Sequence, residues 1–273
     1  MQFSAPHGVP LGQSRGHSPR KTIFIHIPKT AGMSMRETVR RVYPRGRCVF
    51  IYDLDPAHIN ALREDVQHAE AVYGHVSFGI HEIFGIEARY VTVLRDPVDR
   101  VVSFFRHQAN HDDNEYHRLI AQGMTLKDLL RGEHCHQVNN HMVRILSGHP
   151  DAGNTSDRGL LDRAQANLDT QFDAVGITER MDESVALIGS ALGWPRKFSV
   201  PRINVDPQPR AFVLDDDTRA EVVRYNALDI ELYERVVRQY FPEGPTPSGR
   251  RSRDRAGFGW RRGTSSSASA DHA

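Results

Sequence analysis

The stretch IFIHIPKTAGMS, residues 23–34, constrains the fold more than any other part of this chain. A β-branched, apolar run over Thr22–Ile27 ends at Pro28, and the turn material Lys29, Thr30, Ala31 and Gly32 follows at once. Behind it Met35, Val39 and Val42 recur at i, i+4 and i+7, with Arg36, Glu37, Arg40 and Arg41 elsewhere. That spacing predicts an amphipathic helix stopped near Pro44. A buried strand that runs straight into a helix is the building unit of a parallel sheet, because the next parallel strand has to be reached by a crossover.

The same alternation continues along the chain. Further strands are predicted at Ala71–Tyr73, Arg89–Leu94 and Phe172–Gly176. Helices are predicted from Asp55-Pro56 to about His68, and from Pro97 with Val98, Val101, Val102 and Phe105 on the apolar face. Others are expected over about 115–131 and 137–146, after the polar loop Ser147–Asp157, and over Asp182–Leu192 and Asp215–Tyr240, with Trp194-Pro195 marking the end of a packed helix. The expected fold class is α/β: a mainly parallel β-sheet covered by helices.

Composition bears on what surrounds this body. At 273 residues with 39% hydrophobic and 25% charged residues, the chain has the make-up of a globular α/β protein. The net charge of +1 hides a distribution: residues 1–21 and 243–273 carry +3 each, which leaves −5 for residues 22–242. Both ends are poor in large apolar side chains and are expected to be flexible, flanking one domain over 22–242. The Arg-rich tail reads as solvated, with contact to phosphate or a membrane surface as the alternative. An acidic body between basic ends is not the footprint of a dedicated nucleic-acid binder. Cys48 and Cys135 cannot build a disulfide scaffold. The N-terminus has no apolar h-region and no stretch is long enough to span a bilayer, so a soluble, cytoplasmic protein is expected.

Two segments carry chemistry. In the first, the tight turn aims backbone N–H groups and the positive end of a helix at one point, Lys29 adds a mobile cation, and Thr30 and Ser34 add hydroxyl donors. This is a phosphate cradle in kind, although its lysine precedes the glycine and no GK[ST] follows, so it is not the nucleotide-triphosphatase loop. An ordinary strand–turn–helix with an exposed lysine is the bland alternative. In the second, VTVLRDPVDRVVSFF over 91–105, a strand delivers Arg95 to its C-terminal edge, where open α/β sheets bind ligands, and Ser103 follows on the next helix. Arginine suits bidentate phosphate binding, whereas the plain reading pairs Arg95 with Asp96 or Asp99 as a turn brace.

Together PKTAGMS and LRDPVDRVVSFF resemble the cofactor-binding pair of the PAPS-dependent sulfotransferases, in the family that includes the heparan sulfate 2-O- and 6-O-sulfotransferases and bacterial relatives. The resemblance spans about 22–241 and implies a P-loop-like sheet with helices on both faces, PAPS (3′-phosphoadenylyl sulfate) as co-substrate, no metal, and a hydroxyl acceptor that is a sugar or glycan. It implies that Lys29, Thr30, Ala31, Gly32, Met33 and Ser34 meet the 5′-phosphosulfate, and that Arg95 and Ser103 meet the 3′-phosphate. Met33 stands where the family usually has threonine, so one hydroxyl is missing. Gly74-His75-Val76 resembles the family element whose histidine is the base; His81 and Glu82 compete for that role. Weaker resemblances lie at Asn140–Gly148, Val175–Arg180 and Asn226–Tyr233. Arg144 is read either as facing phosphate or adenosine or as a helix ion pair, Arg180 as a brace, and His26 as a satisfied core histidine. His134-Cys135-His136 has poor spacing for zinc. The rival functions are a nucleotide-dependent phosphotransferase and a catalytically silent nucleotide- or glycan-binding protein.

Overall fold

The computed structural model describes residues 20–111, 115–132, 135–153, 155–195 and 214–244; the two terminal segments expected to be flexible lie, but for their innermost residues, outside the described residues. In chain order the elements are Lys21–Ile25 (β1), Gly32–Val42 (α1), Cys48–Ile51 (β2), Pro56–Ala61 (α2), Arg63–His68 (α3), Ala71–Gly74 (β3), Ile80–Phe84 (α4), Ala88–Leu94 (β4) and Pro97–Asn110 (α5). Glu115–Ala121 (α6), Leu126–Arg131 (α7), His141–Ser147 (α8), Arg158–Gln171 (α9), Phe172–Ile177 (β5), Met181–Leu192 (α10), Asp216–Tyr225 (α11) and Ala227–Tyr240 (α12) follow.

The five strands form one parallel sheet in the order β2-β3-β1-β4-β5. Alternation along each strand divides the core. Ile23 and Ile25, Val72, Tyr90 and Leu94, and Val175 face a layer containing α8, α9 and α12, through Met142, Leu161 and Leu232. Phe24, Tyr73, Val91, Val93 and Ala174 face α1 and α10, through Met35, Val39, Val185 and Ile188. A bulge at Asp173, which is skipped between the pairs Tyr90–Phe172 and Val91–Ala174, keeps β5 in phase with both layers. Helices therefore cover both faces, as expected. A third cluster joins α5, α7 and α11 through Val101, Phe104, Leu130 and Val222.

Several boundaries differ from the sequence reading. β2 was not expected; four residues give too short a pattern to stand out. The predicted helix over 115–131 is two, because Gly123 turns with φ 105° and Thr125 opens a new helix with a reciprocal cap to Asp128. The predicted helix over Asp215–Tyr240 breaks at Asn226, whose side-chain amide donates to the Val138 and Val222 carbonyls. Leu62 likewise divides the stretch after Pro56. Trp194 does close a helix: its N–H bonds to Gly189 and its ring stacks on Phe24.

This topology fixes where a ligand can sit. The chain leaves β1 toward β2 and β3, then crosses to β4 on the other side of β1. The loops beyond β1 and β4 consequently diverge, and a crevice opens at the carboxyl ends of these two neighbouring strands.

Candidate functional site

The loop beyond β1 is held in an uncommon backbone form. Lys29 (φ 73°) and Ala31 (φ 59°) are both left-handed without being glycine, a conformation L-residues adopt only where the surroundings enforce it. Thr30 lies between them, and both its amide (3.3 Å) and its hydroxyl (2.8 Å) donate to the Ile27 carbonyl. The Thr30 hydroxyl hydrogen thus closes the turn. Ala31 is the N-cap of α1 and accepts the Met35 amide, so Gly32 and Met33 open the helix with amides that precede the first intrahelical bond. Alternating left-handed residues at a helix start make a concavity of N–H groups suited to an anion. Ser34 is buried in that first turn, while Met33 points outward, about half exposed.

Two cations meet at this concavity. Arg95, leaving the end of β4, donates from Nη1 to the Lys29 carbonyl at 3.2 Å. Among the described residues neither Lys29 nor Arg95 has a carboxylate partner; the brace to Asp96 or Asp99 does not form. Burial first, and then the charge of Arg95, hold the Lys29 ammonium below the ordinary lysine range. The Asp96 carboxylate instead caps α5 at the Asp99 amide, and Glu179 accepts the Asp96 amide and the Tyr233 hydroxyl. Sequence reasoning missed Glu179, which anchors the turn that carries Arg95; only its position beside Arg180 in a family-like stretch hinted at it. Ser103 lies two turns along α5, partly exposed, with no hydrogen bond to Arg95.

A pair of imidazoles flanks the turn. His75 follows β3, its amide bonded to the Ile51 carbonyl at 2.9 Å. Gly74 permits this approach, since a Cβ there would lie 1.7 Å from that same oxygen. The His75 ring lies 4.7 Å from that of His26 and 4.9 Å, edge-on, from that of Tyr52. Burial pushes the His75 pKa down from its ordinary value. His26 was read as a satisfied core histidine within the strand. It stands instead just past the end of β1, stacked on Tyr73 at 5.5 Å, with a buried Nδ1 that has no partner among the described residues. Burial, then the charges of His75, Lys29 and Arg36, push it down to about 3. Gly32 is small because His26 needs the space: a Cβ on Gly32 would lie 1.7 Å from the His26 Nε2. The competing candidates are elsewhere: His81 Nδ1 is paired with the Tyr90 hydroxyl at 2.6 Å, and Glu82 is exposed on α4.

The remaining family-like stretches knit the fold. Asn140, at φ 40°, accepts the amides of Leu228 and Asp229, and Asp229 accepts those of Met142 and Val143. Arg144 is fully buried and donates to the Asn139 and Pro150 carbonyls, so it faces neither solvent nor the turn at 28–32. Arg180 pairs with Glu183 and reaches the Gly244 carbonyl, a brace as expected. His134 lies outside the described residues, and among those described no group of three metal-ligating side chains gathers.

The sequence pattern that defines the Sulfotransferase family matches residues 18–242, well over half of the chain. This chain belongs to that family. It is 28% identical over 206 residues to heparan sulfate 2-O-sulfotransferase 1 of Xenopus laevis and 27% identical to that of Homo sapiens. Each match covers 64% of this chain and 55% of the relative, so the chain spans about half the length of the curated relatives it matches. Among solved structures it is similar to a sulfotransferase from Alicyclobacillus acidocaldarius (TM-score 0.47, 14% identity, 81% of this chain and 97% of that one). It is also similar to mouse sulfotransferase SULT7A1 complexed with PAP (TM-score 0.42, 13% identity, 78% and 66%).

The residues present fit the anionic co-substrate of a sulfotransferase. Among the described residues Lys29 and Arg95 have no carboxylate partner and lie beside the opening Gly32 and Met33 amides of α1, and that donor set suits phosphate or sulfate oxygens.

Proposed function

We propose that this protein transfers a sulfuryl group from PAPS to a hydroxyl of a carbohydrate, giving a sulfate ester and 3′,5′-ADP. The observation that carries the reading is the pair of unneutralised cations, Lys29 and Arg95, at the strained start of α1, with a half-buried imidazole at the neighbouring strand end. The carbohydrate acceptor rests on the relatives named heparan sulfate 2-O-sulfotransferase.

In this reading the amides of α1 and Lys29 bind the phosphosulfate, and Arg95, with Ser103, binds the 3′-phosphate. His75 accepts the proton of the acceptor hydroxyl as its oxygen bonds to sulfur, while the bond from sulfur to the phosphate oxygen breaks and Lys29 neutralises the charge left on that oxygen. By analogy with phosphoryl transfer, positioning and electrostatic stabilisation supply most of the acceleration. Burial suits His75 to the task, because a depressed pKa keeps the ring unprotonated at neutral pH.

The test has two stages. Thermal-shift titration compares 3′,5′-ADP with ATP, ADP and AMP; stabilisation by 3′,5′-ADP above the others is expected, about 2.7 kcal/mol at a hundred times its dissociation constant. Transfer of labelled sulfate from PAPS to a glycosaminoglycan panel follows. A preference for ATP would favour phosphoryl transfer instead, and nucleotide binding without transfer to any glycan would favour a silent binding protein.

A further inference from the structure

His26 does nothing in the mechanism above, yet the fold makes room for it at the expense of a side chain. Its ring occupies the position a Gly32 Cβ would take, with Nε2, Cε1 and Cδ2 all within 2.4 Å of that point. On its other sides it touches His75 at 4.7 Å and stacks on Tyr73 at 5.5 Å, with the two planes 29° apart. Tyr73 in turn donates its hydroxyl to the Gly32 carbonyl at 2.7 Å. Two aromatic groups thus bear on the same residue of the turn, and one of them also bears on the imidazole beside it.

We propose that His26 is a positioning residue whose ring acts as a wedge, transmitting the shape of the Lys29–Gly32 turn to the imidazole of His75. The inference rests on the reading of His75 as the proton acceptor and deepens it. A wedge needs three properties. It must be planar and rigid, and an aromatic ring is both. It must be confined, and its close packing against Gly32, Tyr73 and His75 confines it. It must also carry no charge, because a second cation beside His75 would alter how that ring takes up a proton.

The charged and titratable groups facing His26 come from every neighbouring element: Lys29 from the turn, Arg36 from α1, His75 and Tyr73 from β3 and its end, and Tyr52 beyond β2. Its charged neighbours, Lys29 and Arg36, are both cations, and among the described residues no carboxylate bonds to His26. The site therefore favours the neutral ring. On this account the unpartnered Nδ1 needs no ligand, since it is the face and edges of the ring that act.

The experiment needs no acceptor. The full chain is labelled with 15N-histidine, the His75 ring signals are assigned with His75→Gln, and the titration of His75 is followed in wild type, His26→Phe and His26→Ala, each with and without 3′,5′-ADP. In wild type and His26→Phe, His75 is expected to titrate at the same low midpoint and to shift when nucleotide fills the turn. In His26→Ala its midpoint should rise toward about 6.5, the free-histidine value, and its response to nucleotide should vanish while the affinity for 3′,5′-ADP stays within about threefold, under 1 kcal/mol. Should His26→Ala not fold, His26→Gln keeps the bulk without the ring and is expected to behave as the alanine variant would. An unchanged midpoint and an undiminished nucleotide response in the ringless variant overturn the proposal, as does a His26→Phe variant that behaves like the ringless one. If wild type does not bind 3′,5′-ADP, the sulfotransferase reading fails, and the midpoints in nucleotide-free protein still decide the role of His26.

Discussion

Two regions of this molecule use the same materials to opposite ends. The knot around Asn140, Arg144, Asn226 and Asp229 and the turn around Lys29, Thr30 and Arg95 both contain left-handed residues that are not glycine, and both carry arginine and short polar side chains. Both also resemble family motifs. In the knot, side chains bond to backbone across elements: Asn140 and Asn226 exchange partners between α8 and α12, and Asp229 caps the start of α8. At the turn, hydroxyl and backbone close the loop, but among the described residues the Lys29 and Arg95 cations have no carboxylate partner. Resemblance to a family motif does not by itself tell a brace from a site. What separates a brace from a site is the hydrogen-bonding and charge capacity left unspent.

That division can be broken in order of effect. Asp229→Ala removes a fully buried carboxylate whose neighbours are two α8 amides and the buried guanidinium groups of Arg100 and Arg144. It should destabilise the protein by about 3–5 kcal/mol in urea unfolding, with the affinity of the folded fraction for 3′,5′-ADP unchanged. A stable Asp229→Ala protein that no longer binds nucleotide would erase the distinction. Lys29→Ala should do the reverse: turnover with PAPS and a glycan acceptor falls about 10²–10³-fold, while the urea midpoint does not move. Next comes Arg95→Ala. Losing charge-assisted bonds to the 3′-phosphate should weaken 3′,5′-ADP binding by about 1.5–3 kcal/mol in calorimetry.

The smallest effect, taken per unit of pH, is a pH dependence. His26 is held at about 3 in the folded protein, well below the ordinary histidine value, so the unfolded chain binds the additional proton as pH falls. Stability should decline from about pH 6.5 downward, by at most about 1.4 kcal/mol per pH unit for this group. His26→Phe should flatten that slope when urea unfolding is repeated across pH. The acidic limb of turnover should also lie below 6.5, because burial depresses the His75 pKa in the same direction.

Legibility in the sequence followed the same division between local pattern and long-range contact. β1, α1, β4 and α5 carry their signals within a dozen residues, as apolar periodicity and a proline at the first helical position. The turn at Lys29 and the arrival of Arg95 at a strand end were readable for the same reason. β2 has four residues, too few for a period to show, and the break at Asn226 depends on carbonyls 88 residues and 4 residues away, only one of them nearby in sequence. The hydroxyl of Thr30 could be counted as a donor from sequence, but where its hydrogen goes is settled by the path of the turn. His26 was misread because a histidine inside an apolar strand-like run looks buried and satisfied; its neighbours, Gly32, Tyr73 and His75, meet only once β1 and β3 pair.

Because both the amide and the hydroxyl of Thr30 bond to Ile27, the Lys29–Gly32 turn is braced by the chain's own groups. On the proposed function, its backbone freedom is surrendered during folding and nucleotide then associates without a loop to order. Nucleotide should bind in a single kinetic phase whose rate rises linearly with concentration. Thr30→Val would shift that ordering into the encounter itself, and a slower second phase would appear with the bound pose unaltered.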